Sequence, residues 1–331
     1  MELKQVGEFG LIDLLKDNTI FDSSSVVVGI GDDAAVTLPT PRQLQLLTAD
    51  MLVEGVHFAL ETTAPWQLGY KAVAVNLSDI AAMGGTPKHA VISIAVPKHT
   101  QLDFLTNLYD GMKEICREFG VNIIGGDTVS SPQGLVINVT VAGEVEPTNL
   151  VRRSGAQIGD IVVVTGPIGN SAAGFDLLTK GNWEDYDFAW PLVTAHLTPR
   201  PQVKAGRVLA EYGATSMDDI SDGLASEANE IASASGIGLI IRAADIPLSP
   251  EMIQAAGLFE KQAIDYALYG GEDFQLLFTI KPDQYRLLAN QDIGVQLTAI
   301  GEVVEKAAGV VLIDRNGNRT ALEPRGYNHF R

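Results

Sequence analysis

Short apolar runs rich in β-branched residues recur along this chain, and their spacing constrains its fold more than any other feature. We predict strands over residues 26–30, 91–96, 135–142, 161–165, 237–241, 275–280 and 310–313. The period of the apolar residues predicts helices over 65–83, 101–119, 170–180, 199–212 and 221–235. Because strands and helices do not alternate one for one, the pattern favours α+β layers with antiparallel pairing over a doubly wound sheet.

A further short apolar run at 121–124 precedes the strand at 135–142, and the turn SSPQG between them predicts a paired hairpin. The 331 residues are too many for one compact core and suit two domains. The segment EPTNLVRRSGAQIGD at 146–160 combines Pro, Gly and a change in charge, so we place a domain boundary there. The predicted domains are residues 1–148 and residues 149–331.

The charge balance argues against a nucleic-acid partner, since 41 acidic residues face 23 basic ones and the net charge is −18. The densest basic point is Arg152-Arg153. The start, MELKQVGEFGLIDLLKD, lacks the apolar stretch of a signal peptide, and no run approaches the roughly 20 apolar residues that span a bilayer. We therefore expect a cytoplasmic protein with neither a nucleic-acid nor a membrane partner.

The single cysteine, Cys116, excludes an internal disulfide. Apolar residues surround it at helical spacing, namely Leu102, Leu105, Leu108, Met112, Ile115 and Phe119. We therefore expect a buried core thiol rather than a nucleophile.

The stretch GIGDDAAV at 29–36 matches the dinucleotide fingerprint G-x-G-x-x-G/A. That fingerprint works because bare backbone N–H groups and a helix N-terminus meet a pyrophosphate. Here Asp32 and Asp33 would place carboxylates against the anion, and residues 35–48 contain two prolines and no helical period. We therefore reject the dinucleotide interpretation. The chain also lacks the P-loop, HExxH and G-x-S-x-G motifs, and its five histidines have no zinc-ligand spacing.

Acidic residues recur where apolar runs meet turns or helix starts. They are Asp33, Asp50, Asp79, Asp127, Asp218, Asp219, Asp222, Glu272 and Asp273. Any single one is explained by an Asx-turn or an N-cap, and Ser221 or Asp222 would cap the helix predicted at 221–235. As a set they suggest a second interpretation, because the ends of neighbouring strands gather at one edge of a sheet.

Converging carboxylates need protons or cations, because two of them 4 Å apart repel by about 4 kcal/mol at an effective dielectric near 20. Oxygen ligands suit hard divalent ions, and Mg²⁺ typically takes one or two carboxylates and completes its shell with water and phosphates. We hypothesise that Asp33 and its partners hold metal ions, which in turn hold the phosphates of a nucleotide.

Two further features suit an anion. Arg153, at the domain boundary, has the chemistry to pair with phosphate oxygens, although an ordinary surface arginine is an equally good interpretation. The segment VVVTGPIGNSAAG at 162–174 predicts a strand, a Gly-rich turn and a helix start. It is either an anion site or a plain strand-to-helix turn.

A series of motifs in order along nearly the whole chain closely resembles the thiamine-monophosphate kinase family, of the aminoimidazole ribonucleotide synthetase superfamily. The motifs are GEFGLI (7–12), GIGDDAA (29–35), TADMLVEGVHF (48–58), KAVAVNLSDIAAMG (71–84), IGGDT (124–128), RSGAQIGD (153–160), TGPIGNSAAG (165–174), DISDGL (219–224), GGEDFQL (270–276) and GYNHF (326–330). The resemblance implies ATP-dependent phosphorylation of thiamine monophosphate to thiamine diphosphate, several Mg²⁺ ions and a homodimer. It also implies a two-domain fold, with an N-terminal mixed or antiparallel sheet domain that binds ATP and metal and a C-terminal α/β domain.

The resemblance also implies roles for individual residues. The implied metal ligands are Asp33, Thr48, Ala49, Asp50, Asp79, Asp127, Asp219 and Asp222, with Ala49 contributing only its carbonyl oxygen. The implied ATP contacts are Tyr109, Gly126, Asp127, Arg153 and Ser221. The implied substrate contacts are His57, Glu272 and Tyr327, the last of which has a C-terminal packing role as its alternative. We assign no general base, because the acceptor is already an ionised phosphate and phosphoryl transfer depends on positioning and charge neutralisation.

The chain departs from the family at Ala49, where the family often has a hydroxyl residue before the aspartate. A side-chain ligand would be lost there, whereas a backbone contact would survive. Two alternatives remain open. Other enzymes of the superfamily share the motifs, but the selenide-activating and hydrogenase-maturation members need cysteines that this chain lacks, and GGED and GYNHF argue against the purine-pathway synthetases. A non-enzymatic module that binds divalent cations would need no ATP.

Overall fold

The computed structural model describes residues 10–31 and 33–326. These divide into two compact units. The first comprises the described residues up to Ile80 together with Thr86–Pro147, and the second comprises Ala81–Gly85 together with the described chain from Thr148 onward.

The first unit contains a four-stranded sheet and a separate two-stranded one. Its strands are β1 (Val26–Val28), β2 (Val36–Thr37), β3 (Leu44–Val53), β4 (Thr86–Pro97), β5 (Asn122–Ser131) and β6 (Val136–Val145). Its long helices are α1 (Pro65–Ala82) and α2 (Leu102–Phe119). The four-stranded sheet has the order β3-β6-β4-β5, with β4 and β5 parallel and the other pairs antiparallel.

The hairpin predicted around SSPQG is wrong, because β4 lies between β5 and β6. The different burial of β5 and β6 explains why these two strands are not neighbours in the sheet. β6 alternates buried and half-buried residues along most of its length and occupies a central position, whereas β5 ends in the largely exposed polar sequence DTVSS and forms an edge. The short turn therefore connects two strands that pair with β4 from opposite sides.

One face of the sheet packs in the core, where Ile92, Val139 and Val141 are buried. The helices α1 and α2 cross with their backbones in contact at glycines. A Cβ built on Gly69 would lie 1.8 Å from the carbonyl oxygen of Leu108, so only glycine permits this approach. Cys116 on α2 is completely buried, which confirms the core thiol, and burial raises its pKa.

The second unit contains a seven-stranded sheet with the order β13-β12-β9-β11-β7-β10-β8. Its strands are β7 (Ile161–Thr165), β8 (Ala214–Asp219), β9 (Gly238–Arg242), β10 (Leu276–Ile280), β11 (Leu297–Val304), β12 (Val310–Ile313) and β13 (Arg319–Ala321). Its helices are α3 (Asn170–Lys180), α4 (Ala189–Leu197), α5 (Val203–Glu211), α6 (Leu224–Ser235), α7 (Pro250–Leu258), α8 (Ala263–Tyr269) and α9 (Pro282–Leu288). All its strand pairs are antiparallel except β9 with β12, which confirms the expected α+β arrangement.

Two buried clusters fill the second unit. One joins the sheet to α6 and α8 through residues such as Val164, Leu224 and Leu277. The other joins α3, α4 and α7 through residues such as Leu177 and Leu192. Of the helices in the described part of the chain, none has the length and apolar character needed to cross a bilayer.

Candidate functional site

The GIGDDAA motif lies in the connection between β1 and β2, which pair antiparallel with Val26 opposite Thr37. A strand follows this turn, so the turn lacks the helix N-terminus that dinucleotide binding requires. Asp33 is exposed on the turn, as its predicted role as a metal ligand needs. Asp32 lies outside the described residues.

Three predicted ligands of the first unit lie close together, Thr48 and Asp50 on β3 and Asp79 on α1. The hydroxyl of Thr48 donates a hydrogen bond to the carboxylate of Asp79. The amide of Asp50 donates to Asn76 Oδ1 at 3.1 Å, which ties this edge strand to α1. Burial, followed by the negative charge of Asp79, raises the pKa of Asp50 to about 6. A bound divalent cation would relieve this repulsion.

Asp127 lies elsewhere in the first unit, on the far edge strand β5. The register aligns Asp50 of β3 with Gly126 of β5, with one residue each of β6 and β4 between them. Three strand spacings separate the two Cα atoms by about 14 Å. Asp127 follows Gly126 and so points to the opposite face of the sheet, where it is exposed and accepts a hydrogen bond from the Thr128 amide at 2.9 Å. Asp50 and Asp127 therefore lie at opposite edges of the sheet rather than in one cluster.

The remaining candidates of the first unit differ in accessibility. Ala49 alternates to the exposed side of β3. His57 is half-buried just after β3, and its Nδ1 accepts a hydrogen bond from the Val53 amide at 3.0 Å, so a neutral ring carries its proton on Nε2. Tyr109 is only 8% exposed and burial raises its pKa, which is typical of a packing residue. Its predicted contact with ATP stays a prediction.

The second unit brings the DISDGL and GGEDF motifs together at the ends of β8 and β10. Leu276 pairs with Asp219, and hydrogen bonds continue the ladder beyond the strands. The Glu272 amide donates to the Ser221 carbonyl at 2.6 Å, and the Phe274 amide donates to the Ile220 carbonyl at 2.9 Å. Antiparallel pairing thus places the predicted metal, ATP and substrate residues of these motifs side by side.

The capping role that the sequence allowed for Ser221 or Asp222 is wrong. α6 begins at Leu224 behind Gly223, and the buried first-turn residue Glu227 reaches back so that its Oε1 accepts the Asp222 amide at 2.8 Å. Gly223 has a φ of 107°, and a Cβ there would lie 2.9 Å from the Leu268 carbonyl oxygen, so glycine is required. The side chains of the loop are therefore not needed as caps.

Glu227 is a residue of this site that the sequence did not single out. Burial raises its pKa to about 9, with smaller contributions from Asp218 and Asp219, against the lowering effect of the Asp222 amide. Its position in the first turn of a helix after S-D-G was a usable signal, because first-turn glutamates reach back to preceding amides.

Arg153 binds two carboxylates of its own unit, with its Nε 2.8 Å from Asp218 Oδ2 and its Nη1 2.8 Å from Glu230 Oε2. Burial raises the pKa of Asp218 to about 7, although the Arg153 guanidinium opposes this shift. The Arg153 side chain is half-exposed and near the charge of Asp219, so it is held in place at the edge of the DISDGL strand. Its predicted contact with ATP is compatible with this position.

The Gly-rich turn at 165–170 binds a carboxyl group of the chain itself, that of Asp273. The carboxylate of Asp273 accepts the amides of Gly169 at 2.6 Å and Ser171 at 3.1 Å at the N-terminus of α3. Burial nonetheless raises the pKa of Asp273 to about 7. Asp273 thus occupies the amides that an external anion would need, and of the two interpretations of this segment the strand-to-helix turn fits better.

The C-terminal motif begins at the same place, since a Cβ on Gly326 would lie 2.1 Å from the Asp222 carbonyl oxygen. Tyr327 lies outside the described residues. Across residues 10–31 and 33–326, no group of three or more His, Cys, Asp or Glu side chains is arranged to hold a metal ion. Pairs such as Asp50 and Asp79 nevertheless fit Mg²⁺, which binds through one or two carboxylates with phosphates completing its shell.

Family models for AIR synthase related proteins match most of this chain, the N-terminal domain over residues 31–145 and the C-terminal domain over residues 157–314. The thiamine-monophosphate kinase of Bacillus subtilis (strain 168) is 39% identical over 331 residues, covering 98% of this chain and 99% of the relative. That of Aquifex aeolicus (strain VF5) is 38% identical over 330 residues and covers 100% of both. This chain belongs to the thiamine-monophosphate kinase family.

Solved structures agree with this membership. A thiamine-monophosphate kinase from Stenotrophomonas maltophilia K279a matches with a TM-score of 0.81 and 33% identity over 93% of this chain and 96% of its own. The structure of AaThiL complexed with AMPPCP and TMP matches with a TM-score of 0.79 and 35% identity over 100% of this chain and 99% of its own. The thiamine-monophosphate kinase resemblance and the predicted fold class are both confirmed.

Proposed function

We propose that this chain transfers the γ-phosphoryl group of ATP to the phosphate of thiamine monophosphate, giving thiamine diphosphate and ADP. The proposal rests on the observation that the motifs DISDGL and GGEDF and the start of GYNHF lie next to one another in the second unit. Those motifs hold residues for all three components of such a reaction. Identities of 38–39% to thiamine-monophosphate kinases along the full length add support.

The proposed site residues suit a reaction that depends on positioning the substrates more than on covalent catalysis. The acceptor phosphate is already ionised, so no side chain has to remove a proton from it. When bound, Mg²⁺ would supply the positive charge that neutralises the phosphates. In the first unit Thr48 orients the Asp79 carboxylate, and Asn76 of α1 fixes the backbone of Asp50. These two acids would hold the ion. In the second unit Glu227 fixes the amide of Asp222, and the β8–β10 ladder fixes Asp219.

The predicted ligand contacts divide between ATP and the thiamine substrate. We propose that Gly126, Asp127, Arg153 and Ser221 contact ATP, with Tyr109 the least accessible of the proposed contacts. We propose that His57, Glu272 and Tyr327 contact thiamine monophosphate, whose thiazolium ring is cationic and suits a carboxylate and aromatic side chains. We further propose that Asp33 and the carbonyl of Ala49 complete the metal ligands and that the enzyme acts in the cytoplasm.

We also propose a homodimer formed through the face of the first unit's sheet opposite the helices, with the exposed Asp127 of the edge strand β5 left accessible at the rim of that face. Large apolar side chains of three of its strands lie exposed on this face. They are Leu47 at 76%, Met51 at 53%, Val91 at 37% and Val129 at 51%. A row of such side chains marks an interaction surface.

The test of the activity measures ADP release together with thiamine diphosphate formation. We expect equal amounts of both products from ATP and thiamine monophosphate, and no turnover in EDTA. Unphosphorylated thiamine and the acceptors of the purine-pathway synthetases serve as controls and should give no product. ADP release that is independent of thiamine monophosphate, or turnover of a purine-pathway acceptor instead, would overturn the proposal.

A further inference from the structure

A buried histidine contacts the side chain of Glu272. His196, near the end of α4, is only 7% exposed. Its Nδ1 lies 3.4 Å from Glu272 Oε2 and 3.1 Å from Ser171 Oγ. A proton on Nδ1 therefore has two oxygen acceptors within reach, one of which belongs to the proposed substrate contact.

The backbone of Glu272 is held as firmly as its side chain. Its amide donates to the Ser221 carbonyl, and its neighbour Asp273 is anchored on the amides of Gly169 and Ser171. Glu272 has a φ of 66°, a left-handed conformation that is strained for a residue with a Cβ. Strain of this kind persists only where the surroundings over-determine it, which is common at ligand-binding sites.

The same group presents an aromatic ring to solvent. Phe175 lies one helical turn after Ser171 on α3 and is 53% exposed. Its ring centroid is 5.3 Å from that of His196, with the planes tilted by 44°. It thus shields one side of the imidazole, which weakens competition from water for the His196–Glu272 contact.

We propose, on the basis of the function proposed above, that His196 is a positioning residue that orients the Glu272 carboxylate toward the cationic ring of the thiamine substrate. Glu272 keeps 29% of its side-chain surface exposed, so one part of the carboxylate faces His196 while another stays accessible. A carboxylate fixed in this way binds a cationic ring without first losing rotamer freedom.

The test separates positioning from general stability by comparing His196→Leu, His196→Asn and Glu272→Gln. Removing a hydrogen bond to a charged group should raise KM for thiamine monophosphate about tenfold in His196→Leu, while kcat and KM for ATP change less than about twofold. Asparagine keeps a donor near the position of Nδ1, so His196→Asn should recover most of the loss. Calorimetric titration with thiamine monophosphate alone should show the same factor in Kd.

Coupling to Glu272 is measured by the double variant His196→Leu/Glu272→Gln. We expect it to bind thiamine monophosphate no more weakly than Glu272→Gln alone, because the histidine acts through that carboxylate. His89→Leu is the matched control, since His89 is also buried and lies 3.5 Å from Asn122 Nδ2 in the first unit. It should leave both KM values unchanged.

Three results would overturn the proposal. They are an unchanged KM for thiamine monophosphate in His196→Leu, an equal rise in both KM values, and additive losses in the double variant. If His196→Leu does not fold, the coupling is measured with His196→Ala, which also lacks a donor, in the presence and absence of Glu272→Gln, and additive losses there overturn the proposal equally. Failure of the wild-type enzyme to phosphorylate thiamine monophosphate would instead refute the proposed function, so the two failures are distinct.

Discussion

Asp273 and Glu272 are adjacent in the GGED motif but lie in different surroundings. Asp273 is buried on the N-terminus of α3, whereas Glu272 is partly exposed beside His196. The motif therefore combines an internal anchor with a side chain that is available to a ligand.

The anchor predicts a specific pH dependence of stability. The folded pKa of Asp273 is about 7, above the value near 4 of an unfolded aspartate, so the folded state binds the proton more tightly. The contribution of this group to the free energy of unfolding is therefore present below pH 4 and is lost as pH rises toward 7. Between these limits it falls by at most about 1.4 kcal/mol per pH unit.

Urea denaturation of wild type and Asp273→Asn across pH 4 to 8 measures this effect. The difference in free energy of unfolding, wild type minus variant, should fall between pH 4 and 7 and then level off. A difference that is constant or rises with pH would show that the carboxylate is ionised throughout that range.

A substitution of Asp127 should lower the activity and leave the stability unchanged. Its side chain is exposed, and it accepts the amide of Thr128 through an oxygen that asparagine also has. Asp127→Asn should therefore melt within about 2 °C of wild type, yet lose at least about a hundredfold in kcat if it binds metal.

Melting curves and steady-state assays at saturating Mg²⁺ check this expectation. Asp110→Asn is the matched control, because Asp110 is an exposed aspartate on α2 to which we assign no role in the site. Full activity in Asp127→Asn would remove Asp127 from the metal ligands.

At the scale of elements, the close crossing of α1 and α2 depends on glycine. Gly69→Ala would place a Cβ 1.8 Å from the Leu108 carbonyl oxygen, so the helices have to separate. We expect a loss of about 2–4 kcal/mol in the free energy of unfolding. Gly257→Ala is the control, because a Cβ on this glycine of α7 would meet nothing within 4 Å. That substitution should be neutral or gain up to about 1 kcal/mol.

Chemical denaturation of both variants decides the point. Equal stability of Gly69→Ala and wild type would show that the crossing tolerates a wider separation.

Sequence patterns predicted most buried strands, because runs such as 161–165 and 275–280 are almost continuously apolar. They missed β3, whose alternation is interrupted by Thr48 and Asp50, and β8, which ends in Asp218 and Asp219. The pairing of β5 with β4 also escaped prediction, since β-strand order depends on contacts distant in sequence. The sequence showed the candidate acids at predicted turns. It did not show the partners His196 and Asn76, because their roles arise only when segments distant in sequence meet.

At the scale of the whole molecule, the exposed sheet face of the first unit should decide the oligomeric state. Leu47 is the most exposed of its apolar residues and pairs in register with Ala142 of β6. Leu47→Glu would place a charge within any contact between two such faces, and burying it would cost several kcal/mol. We expect the variant to sediment as a monomer at concentrations where wild type is a dimer.

Sedimentation velocity across a concentration series measures this difference. Ile253→Glu, on α7, is the control because Ile253 is also exposed but belongs to the second unit. It should leave the oligomeric state unchanged. A monomeric wild type, or a Leu47→Glu variant that still dimerises, would refute the interface. Because Leu47 precedes Thr48 and Asp50 on the same edge strand, assays of the monomer would also reveal whether assembly supports the proposed metal-binding carboxylates.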